Sequence, residues 1–455
     1  MSRALNILNL VLALGCALGL ARVIAIAGLH VPLDPNEGWN AYHTAAAMSG
    51  GHLYPDGAGF LTNNYPPLSF YVVGFIGGDH VVAGRIVSLL ALAGVAVSIF
   101  AAVRAMGTSR RAALFGALWF AAGVLIFTDY VGMDDPQLLG HAIAMAGFLL
   151  LLRGNMAGAA LAMTCALFVK HNLVAMPAAA LIWLALFDRR NAMRFALWGL
   201  GAALLGLAAF RMIYGVGLPG RLNSPRLFSF TLLGENIAAW TLWGATALAA
   251  MTALLLKHRG DRHVALCAIY ALAAVLVGAC FSGGAGVDMN VWFDAAIALA
   301  MGAALAIDRF ERPLHKALAA FAYAVPLLCG LTLAYDGDWL ERDFWLHPAR
   351  EDAATAAADI DFLKVHEGPA LCEMLSLCYW AGKRAEVDVF NLGQAYATHV
   401  RDDDALVRLV DARYFRAVEF DSMDEFALGT RVKQAFARNY RVDHENDEGV
   451  FLVPR

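Results

Sequence analysis

The chain has 455 residues, of which 60% are hydrophobic and only 16% are charged. Soluble globular proteins carry about 25% charged residues, so the composition excludes an ordinary soluble protein and indicates one that lies mostly in lipid. The net charge of -4 combines 34 basic with 38 acidic residues. No long basic stretch suggests a nucleic-acid partner.

Apolar runs follow one another through residues 1–334, and a membrane crossing needs about 20 such residues. We identify eleven candidate spans, at 7–29, 82–103, 112–130, 137–152, 156–169, 174–187, 195–213, 232–256, 264–281, 291–307 and 314–334. The first run is long for a signal peptide, so we interpret it as an uncleaved span. The fifth and sixth runs are either two spans with a tight polar turn or one broken pair of short helices.

The basic residues between the runs predict the orientation of the chain, because cytoplasmic connections carry an excess of Lys and Arg. Every second connection is basic: 104–111, 153, 189–194, 257–262 and 309–316. The others, at 32–67, 132–136, 170–172, 214–231 and 282–290, are richer in Gly, Pro, Asn and acids. Eleven spans then place the N-terminus in the cytoplasm and the C-terminus outside.

Residues 335–455 have the composition of a small soluble α/β domain. Short apolar runs at 369–372, 387–390, 416–420 and 450–453 indicate strands, and helical patterns follow at 403–411 and 430–439. Cys372 and Cys378 lie here, where an oxidising compartment would permit a disulfide. The predicted fold is therefore a mainly α, polytopic membrane domain at 1–334 followed by an outer α/β domain at 335–455.

The first outer loop, residues 30–68, carries an unusual density of polar and aromatic groups. Residues 39–48 suit a short amphipathic helix in the membrane interface, which two glycines end. Asp34 and Glu37 stand at its N-terminus, beside Tyr42 and His43. Capping explains one acid at such a position, whereas two acids directly after a span favour a functional role.

Two further outer connections carry charged side chains. Asp134 and Asp135 precede the fourth span, where a helix N-cap accounts for one aspartate and leaves the other free. Lys170 and His171 end the fifth run, and Arg85 starts the second. For these cations, extension of the side chain to the interface is the alternative to a functional role.

Acids, cations and aromatic rings that converge on one outer face suit sugar transfer from a lipid phosphate. A carboxylate can take the proton of an attacking hydroxyl. A fixed Lys or Arg stabilises the charge that develops on the departing phosphate. The sequence contains no HExxH, no paired CxxC and no Gly-rich phosphate loop followed by Lys and Ser/Thr.

An ordered set of motifs resembles the GT-C superfamily of membrane glycosyltransferases. The likeness is to the bacterial branch related to protein O-mannosyltransferases and the lipid A aminoarabinose transferase, and it covers roughly the first 190 residues. The matching motifs are Asn36-Glu37-Gly38, Pro66-Pro67-Leu68, Gly84-Arg85-Ile86, Asp134-Asp135 and Phe168-Val169-Lys170. Each motif is weak alone, whereas the ordered set is more specific.

The resemblance implies roles for these residues. The catalytic aspartate of the family would fall at Asn36, which cannot act as a base, so the base is Asp34 or Glu37. We favour Asp34 because it lies nearer the end of the first span. The implied ligands of the donor phosphate are Lys170, Arg85 and His171, and the implied substrate-binding residues are Tyr42, His43, Asn64, Tyr65, Asp134 and Asp135.

The resemblance also implies an activity and a location. The expected reaction is transfer of a sugar, with inversion, from a polyprenyl-phosphate donor to an envelope glycan, lipid or protein. The expected location is the periplasmic side of a bacterial inner membrane. No metal site is predicted, although a divalent cation stays open as a cofactor. The alternatives are a transporter or lipid flippase, which would need polar groups near the bilayer midplane, and a non-catalytic scaffold.

Overall fold

The apolar runs of the sequence are helices in the computed structural model, which describes residues 2–55, 59–215, 217–222, 224–333, 349–446 and 448–455. Each of the eleven runs is helical over most of its described length. A helix satisfies all its backbone polar groups internally, which an apolar surrounding demands. The predicted end of the last run at Ala334, and the predicted domain boundary that follows it, lie outside the described residues.

The helices of residues 2–333 begin at polar caps in several cases. They are α1 (Ser2–Ala27), α2 (Pro35–Met48), α3 (Leu68–Gly74), α4 (His80–Ala105), α5 (Arg110–Leu125), α6 (Thr128–Gly132), α7 (Gln137–Leu152), α8 (Met156–Val169), α9 (Ala175–Phe187), α10 (Arg189–Tyr214), α11 (Leu218–Leu222), α12 (Phe230–Lys257), α13 (Arg262–Phe281), α14 (Phe293–Arg309) and α15 (Pro313–Leu333). The capping side chains of α4, α5, α10, α12 and α13 are those of Asp79, Ser109, Asp188, Ser229 and Asp261.

Seven helices of the described residues are long and apolar enough to cross a membrane: α1, α4, α10, α12, α13, α14 with the turn before it, and α15. The apolar helices α7, α8 and α9 have 16, 14 and 13 residues. They are shorter than the roughly 20 residues of a simple crossing. The predicted multi-pass architecture is thus confirmed, whereas the count of eleven spans is not. The fifth and sixth runs are two separate short helices.

Helix α14 lies at the centre of the helical layer. Its residues from Phe293 to Ile307 are all buried, and it packs against α5, α12, α13 and α15. Small side chains let helix backbones approach closely, and alanine is the commonest residue in this helix. A Cβ on Gly116 of α5 would lie 2.6 Å from the carbonyl oxygen of Ala300. This crossing therefore depends on glycine.

The C-terminal residues form a small mixed sheet with helices, as the α/β prediction requires. The elements are α16 (Ala349–Val365), β1 (Ala370–Cys372), α17 (Leu375–Trp380), α18 (Val389–Ala397), α19 (Asp404–Asp411), β2 (Ala417–Phe420), α20 (Thr430–Asn439), β3 (Tyr440–Asn446) and β4 (Gly449–Pro454). The strand order is β1-β2-β4-β3. β1 and β2 are parallel and the other pairs antiparallel, with Val418 opposite both Leu371 and Leu452.

Two details of this region differ from the sequence-based prediction. The strand predicted at 387–390 is wrong, because Asp388 caps α18 by accepting a hydrogen bond from the Asn391 backbone N–H. Strand β3 has no apolar run to reveal it, since Arg441, Asp443 and Glu445 interrupt it, and it lies at the edge of the sheet. Pairing with β4, and not hydrophobic periodicity, makes it a strand.

The C-terminal part packs directly on α2 of the first loop. Helix α17 lies so close to α2 that a Cβ on Gly38 would be 2.1 Å from the Ser376 backbone nitrogen. The disulfide that the sequence left open forms between Cys372, at the end of β1, and Cys378, within α17. Helix α2 begins at Pro35, four residues before the predicted start at Trp39. Other helices pack against it where the sequence predicted a helix lying in the membrane interface.

We expect Gly38→Ala to weaken the contact between α2 and α17, because the added methyl group would overlap backbone and not a flexible side chain. Limited proteolysis of the purified protein should then cut residues 349–455 faster than in the wild type. The matched control is Gly234→Ala in α12, where an added Cβ meets nothing within 4 Å. Equal protection of both variants would contradict the close contact.

Candidate active site

A fully buried ion pair joins the start of α2 to α4. Arg85 Nε donates to Glu37 Oε1 at 2.7 Å, and Arg85 Nη2 donates to Glu37 Oε2 at 2.6 Å. Glu37 also accepts the backbone N–H groups of Leu33 and Asp134, at 3.2 and 3.1 Å. Arg85 Nη1 donates to the carbonyl oxygen of Leu29 at 2.9 Å. We call this pair with its backbone contacts the Glu37–Arg85 brace.

The brace does not support two of the predicted roles. An ionised carboxylate has about four acceptor positions, and the four hydrogen bonds to Glu37 use them. Arg85 is 0% exposed, and its guanidinium is bound to Glu37 and to backbone carbonyls. Glu37 is therefore poorly placed to act as a base, and Arg85 is poorly placed to bind a phosphate. The pair fixes the chain where α1, α2 and α4 meet.

Asp34 is the N-cap of α2 and stays partly exposed. Its Oδ1 accepts the backbone N–H of Asn36 at 2.7 Å. Burial raises the pKa of Asp34 to about 6, and the nearby Asp135 and Glu37 carboxylates add to this effect against the Asn36 hydrogen bond. Asp34 therefore caps α2, as the alternative to a functional role held, but capping uses only one of its two carboxylate oxygens. A carboxylate with a pKa near neutrality is suited to accept a proton.

Asp135 and Lys170 form a second buried ion pair. Lys170 Nζ lies 2.9 and 3.0 Å from the two carboxylate oxygens of Asp135, and Asp135 Oδ1 also accepts the backbone N–H of Gln137. The Lys170 ammonium lies 5.2 Å from the centre of the Tyr65 ring. Burial alone would lower the pKa of Lys170, but Asp135 more than offsets this and raises it.

Asp134 is buried behind this pair. Its backbone N–H bonds to Glu37, and its carbonyl oxygen accepts Asn40 Nδ2 at 2.7 Å. Its carboxyl group occupies the space that a Cβ on Gly84 would need. Burial, together with the charges of Glu37 and Asp135, raises the pKa of Asp134 well above its ordinary value. Asp134 therefore lies within the protein and not on the face of the site.

Tyr42 and His43 contact other parts of the protein and not Lys170. Tyr42 donates to the carbonyl oxygen of Lys383 at 2.8 Å. His43 Nε2 lies 3.2 Å from the carbonyl oxygen of Thr62, and its ring packs on Trp39. Burial lowers the pKa of His43 to about 4, so this side chain is neutral. Both residues hold α2 in place.

His171, Tyr65 and Asn64 lie on the Lys170 side of the loop. The His171 ring centre is 6.5 Å from that of Tyr65. Burial, reinforced by the Lys170 charge, lowers the pKa of His171 to about 4. His171 is thus neutral and can donate one hydrogen bond. Asn64 is buried beside Tyr65. The predicted residues that converge are Asp34, Asp135, Lys170, Tyr65 and His171, with Tyr130 interacting electrostatically with the first two.

Arg226 belongs to this cluster and was missed by sequence reasoning. Its guanidinium lies 4.5 Å from the Phe390 ring and interacts with Tyr65 and Asp388. Its Nη1 is buried without a hydrogen-bond partner among the described residues. Burial lowers its pKa. The sequence signal that could have found it is its position in the connection 214–231. The charge pattern assigned this connection to the outer side, where Lys and Arg are scarce.

A largely apolar cavity of about 180 Å³ lies near this cluster, between α5, α12 and α14. Trp240, Trp243 and Trp292 line it, and Asp288 and Asn236 contribute polar groups. Phe293 also lines the cavity, and its ring centre lies 6.4 Å from that of Tyr130. In the described residues, no group of three His, Cys, Asp or Glu side chains could hold a metal ion. The divalent cation that the sequence left open as a cofactor therefore has no such set of ligands in the described part of the chain.

The fold of this chain is shared with ArnT from Cupriavidus metallidurans. Its crystal structure bound to undecaprenyl phosphate has a TM-score of 0.61 and 14% sequence identity, covering 97% of this chain and 97% of that chain. Its apo crystal structure has a TM-score of 0.61 and 15% identity, covering 99% and 98%. No protein-family model and no curated protein sequence match the chain.

We expect Glu37→Ala to destabilise the protein strongly, because it leaves Arg85 buried without its partner. The loss should be about 3–5 kcal/mol in the free energy of unfolding, measured from the denaturation midpoint of the purified protein. The control is Asp361→Ala, which removes the exposed pair with Lys364 and should cost less than about 1 kcal/mol. A loss as small as that of the control would rule out a structural role for the brace.

Proposed function

We propose that the protein is a membrane glycosyltransferase that transfers a sugar from a polyprenyl-phosphate donor to a hydroxyl of an envelope glycan, lipid or protein. The observation that carries the proposal is the cluster at Tyr65, whose ring centre lies 5.2 Å from the Lys170 ammonium and which interacts electrostatically with Arg226. Asp34 lies near enough to Asp135, the partner of Lys170, for their charges to interact. An acid, two cations and aromatic rings are the groups that such a transfer needs. ArnT, which has this fold, was crystallised with undecaprenyl phosphate, and this supports the same class of donor.

Asp34 is the general base in this proposal. The acceptor hydroxyl attacks the anomeric carbon, and Asp34 takes its proton as the new bond forms. The bond between the anomeric carbon and the phosphate oxygen breaks on the opposite face, so that the configuration inverts. The hydrogen bond from Asn36 fixes one oxygen of Asp34 and leaves the other to face the acceptor.

Lys170 and Arg226 bind the departing phosphate. Tyr65 lies beside both cations, so that a phosphate over this ring could contact each of them. Asp135 orients Lys170 through both carboxylate oxygens. Cations fixed in a low-dielectric site stabilise the charge that develops on the leaving group. His171, which is neutral, contributes a hydrogen bond and no charge.

The cavity lined by the three tryptophans accepts apolar parts of the donor near its phosphate, and the rest of the prenyl chain lies in lipid. We place the site on the periplasmic side of a bacterial inner membrane, with the N-terminus in the cytoplasm. This orientation follows from the basic connections of the sequence.

Transport of a lipid-linked glycan is the alternative, and one feature favours it. Within the helical layer, His141 of α7 lies 3.8 Å from Asp294 of α14, and Tyr270 of α13 donates a hydrogen bond to Asp294. Ionisable groups inside a membrane protein often mark a transport path. Transport would move the donor between leaflets without breaking the bond between its sugar and its phosphate. Release of free polyprenyl phosphate therefore distinguishes transfer from transport.

We expect Asp34→Asn to reduce transfer by at least about 100-fold. Asparagine caps a helix nearly as well as aspartate, so α2 should persist while the base is lost. The purified protein in liposomes would be given a panel of undecaprenyl-phosphate sugars and an envelope extract, and free undecaprenyl phosphate measured by mass spectrometry. In the wild type, kcat/KM should rise with pH through about 6 and then level, because only the ionised Asp34 accepts a proton.

The control for this substitution is Asp188→Asn, which changes the N-cap of α10 and should leave activity unchanged. Undiminished release of undecaprenyl phosphate by Asp34→Asn would remove the assignment of the base. If the wild type releases none with any donor but moves the lipid between leaflets, transport replaces transfer.

We expect Arg226→Gln to raise the KM for the donor by about 10- to 100-fold, since a hydrogen bond to a charged group contributes about 1.5–3 kcal/mol. Arg221→Gln is the matched control in the same segment, where the arginine donates to the carbonyl oxygen of Pro55. Its KM should change less than about threefold. Equal effects of the two substitutions would show that Arg226 has no particular role in donor binding.

A further inference from the structure

A small cavity lies beside the Glu37–Arg85 brace, between α2, α3, α4 and the loop that precedes α7. Its volume is about 10 Å³, which is about the space that one buried water or an ion of similar size requires. Asn40 and Thr44 of α2, Ser69 of α3 and Asp134 of the loop line it. These four residues are 2, 0, 4 and 4% exposed.

Each of the four residues has a buried oxygen without a hydrogen-bond partner among the described residues: Asn40 Oδ1, Thr44 Oγ1, Ser69 Oγ and Asp134 Oδ2. Buried polar atoms are rarely left unsatisfied, and a group of them needs an explanation. The Asn40 orientation is fixed, because Nδ2 donates to the Asp134 carbonyl oxygen. Reversal of this amide would bring two oxygens together. The Asn40 oxygen therefore stays an acceptor.

The charges around the cavity are unbalanced. Glu37 is matched by Arg85, and Asp135 by Lys170, each through two hydrogen bonds. Asp134 is a third buried carboxyl group close to these two, and no salt bridge to it is found among the described residues. A buried carboxylate without a counter-charge is costly unless it is protonated or coordinates a metal ion. A water molecule would satisfy the hydrogen-bonding oxygens but would leave the negative charge of Asp134 unbalanced.

We propose that this cavity binds a monovalent metal cation through Asp134 Oδ2, Asn40 Oδ1, Thr44 Oγ1 and Ser69 Oγ. Hard cations prefer oxygen ligands from carboxylates, amides and hydroxyls. One unmatched carboxylate among neutral oxygens balances a single positive charge. A divalent ion would lack a second free carboxylate, because Asp135, which also lines the cavity, is already paired with Lys170.

The bound cation would join α2 to α3 and to the loop at Asp134. Asn40 and Thr44 lie one and two turns after Glu37 on the same helix, and Asp34 caps that helix. The ion therefore holds in place the helix that carries the proposed base. The inference concerns binding and stability, and it stands whether or not the protein transfers a sugar.

The test measures the thermal unfolding midpoint of the full-length protein in detergent at pH 8. NaCl, KCl and LiCl are compared with N-methyl-D-glucamine chloride at equal ionic strength. A ligand that binds only the folded state raises this midpoint as its concentration increases. We expect at least one alkali cation to raise it by about 2–4 °C or more, with saturation. Equal midpoints in all four salts would overturn the proposal in favour of a water molecule or a protonated Asp134.

Three variants assign the effect to the cavity. Asp134→Asn should abolish the dependence on the cation, and Ser69→Ala should raise the half-saturating concentration at least about tenfold. Ser88→Ala is the matched control, since its buried hydroxyl also lacks a partner but does not line the cavity. It should behave like the wild type. If Asp134→Asn does not fold, the Ser69 and Ser88 variants decide, and equal shifts in both would overturn the proposal.

Discussion

The site depends on the buried pair of Glu37 and Arg85. An ion pair of this kind gains little stability over apolar packing, because both charges lose their hydration. What it supplies here is position. The guanidinium holds the backbone just after α1, and the carboxylate holds the backbone of Leu33 before α2 and of Asp134 before α7. Asp34, three residues before Glu37, and Asp135, next to Asp134, take their places from this one contact.

The fold could be predicted from the sequence to a large extent. The sequence predicted a multi-pass helical protein with an α/β domain. The signals were apolar runs about as long as a bilayer crossing, alternating basic connections and a polar C-terminal region. Helix lengths were less accessible, because α7, α8 and α9 are too short for a simple crossing and their packing, not hydropathy, gives their position. Strand β3 was missed because charged residues interrupt it and only its pairing with β4 makes it a strand.

The candidate site could be predicted only in outline. The sequence identified Asp34, Asp135 and Lys170 as residues of one region, since all adjoin apolar runs on the same predicted side. It could not show which charges are already paired. Glu37 and Arg85 are 48 positions apart, and the role of each changed once the other was found beside it. Arg226 was missed for the converse reason, because no local motif surrounds it and tertiary contacts alone bring it to Tyr65.

The contact of α17 with Gly38 has a consequence for the order of biogenesis. Residues 38 and 376 meet, so the first polar loop leaves the ribosome long before the segment that covers it. The membrane helices can insert while this loop is still uncovered on one face. The loop acquires its final surroundings only after α17, which carries Cys378 of the disulfide, has been synthesised and has packed on α2.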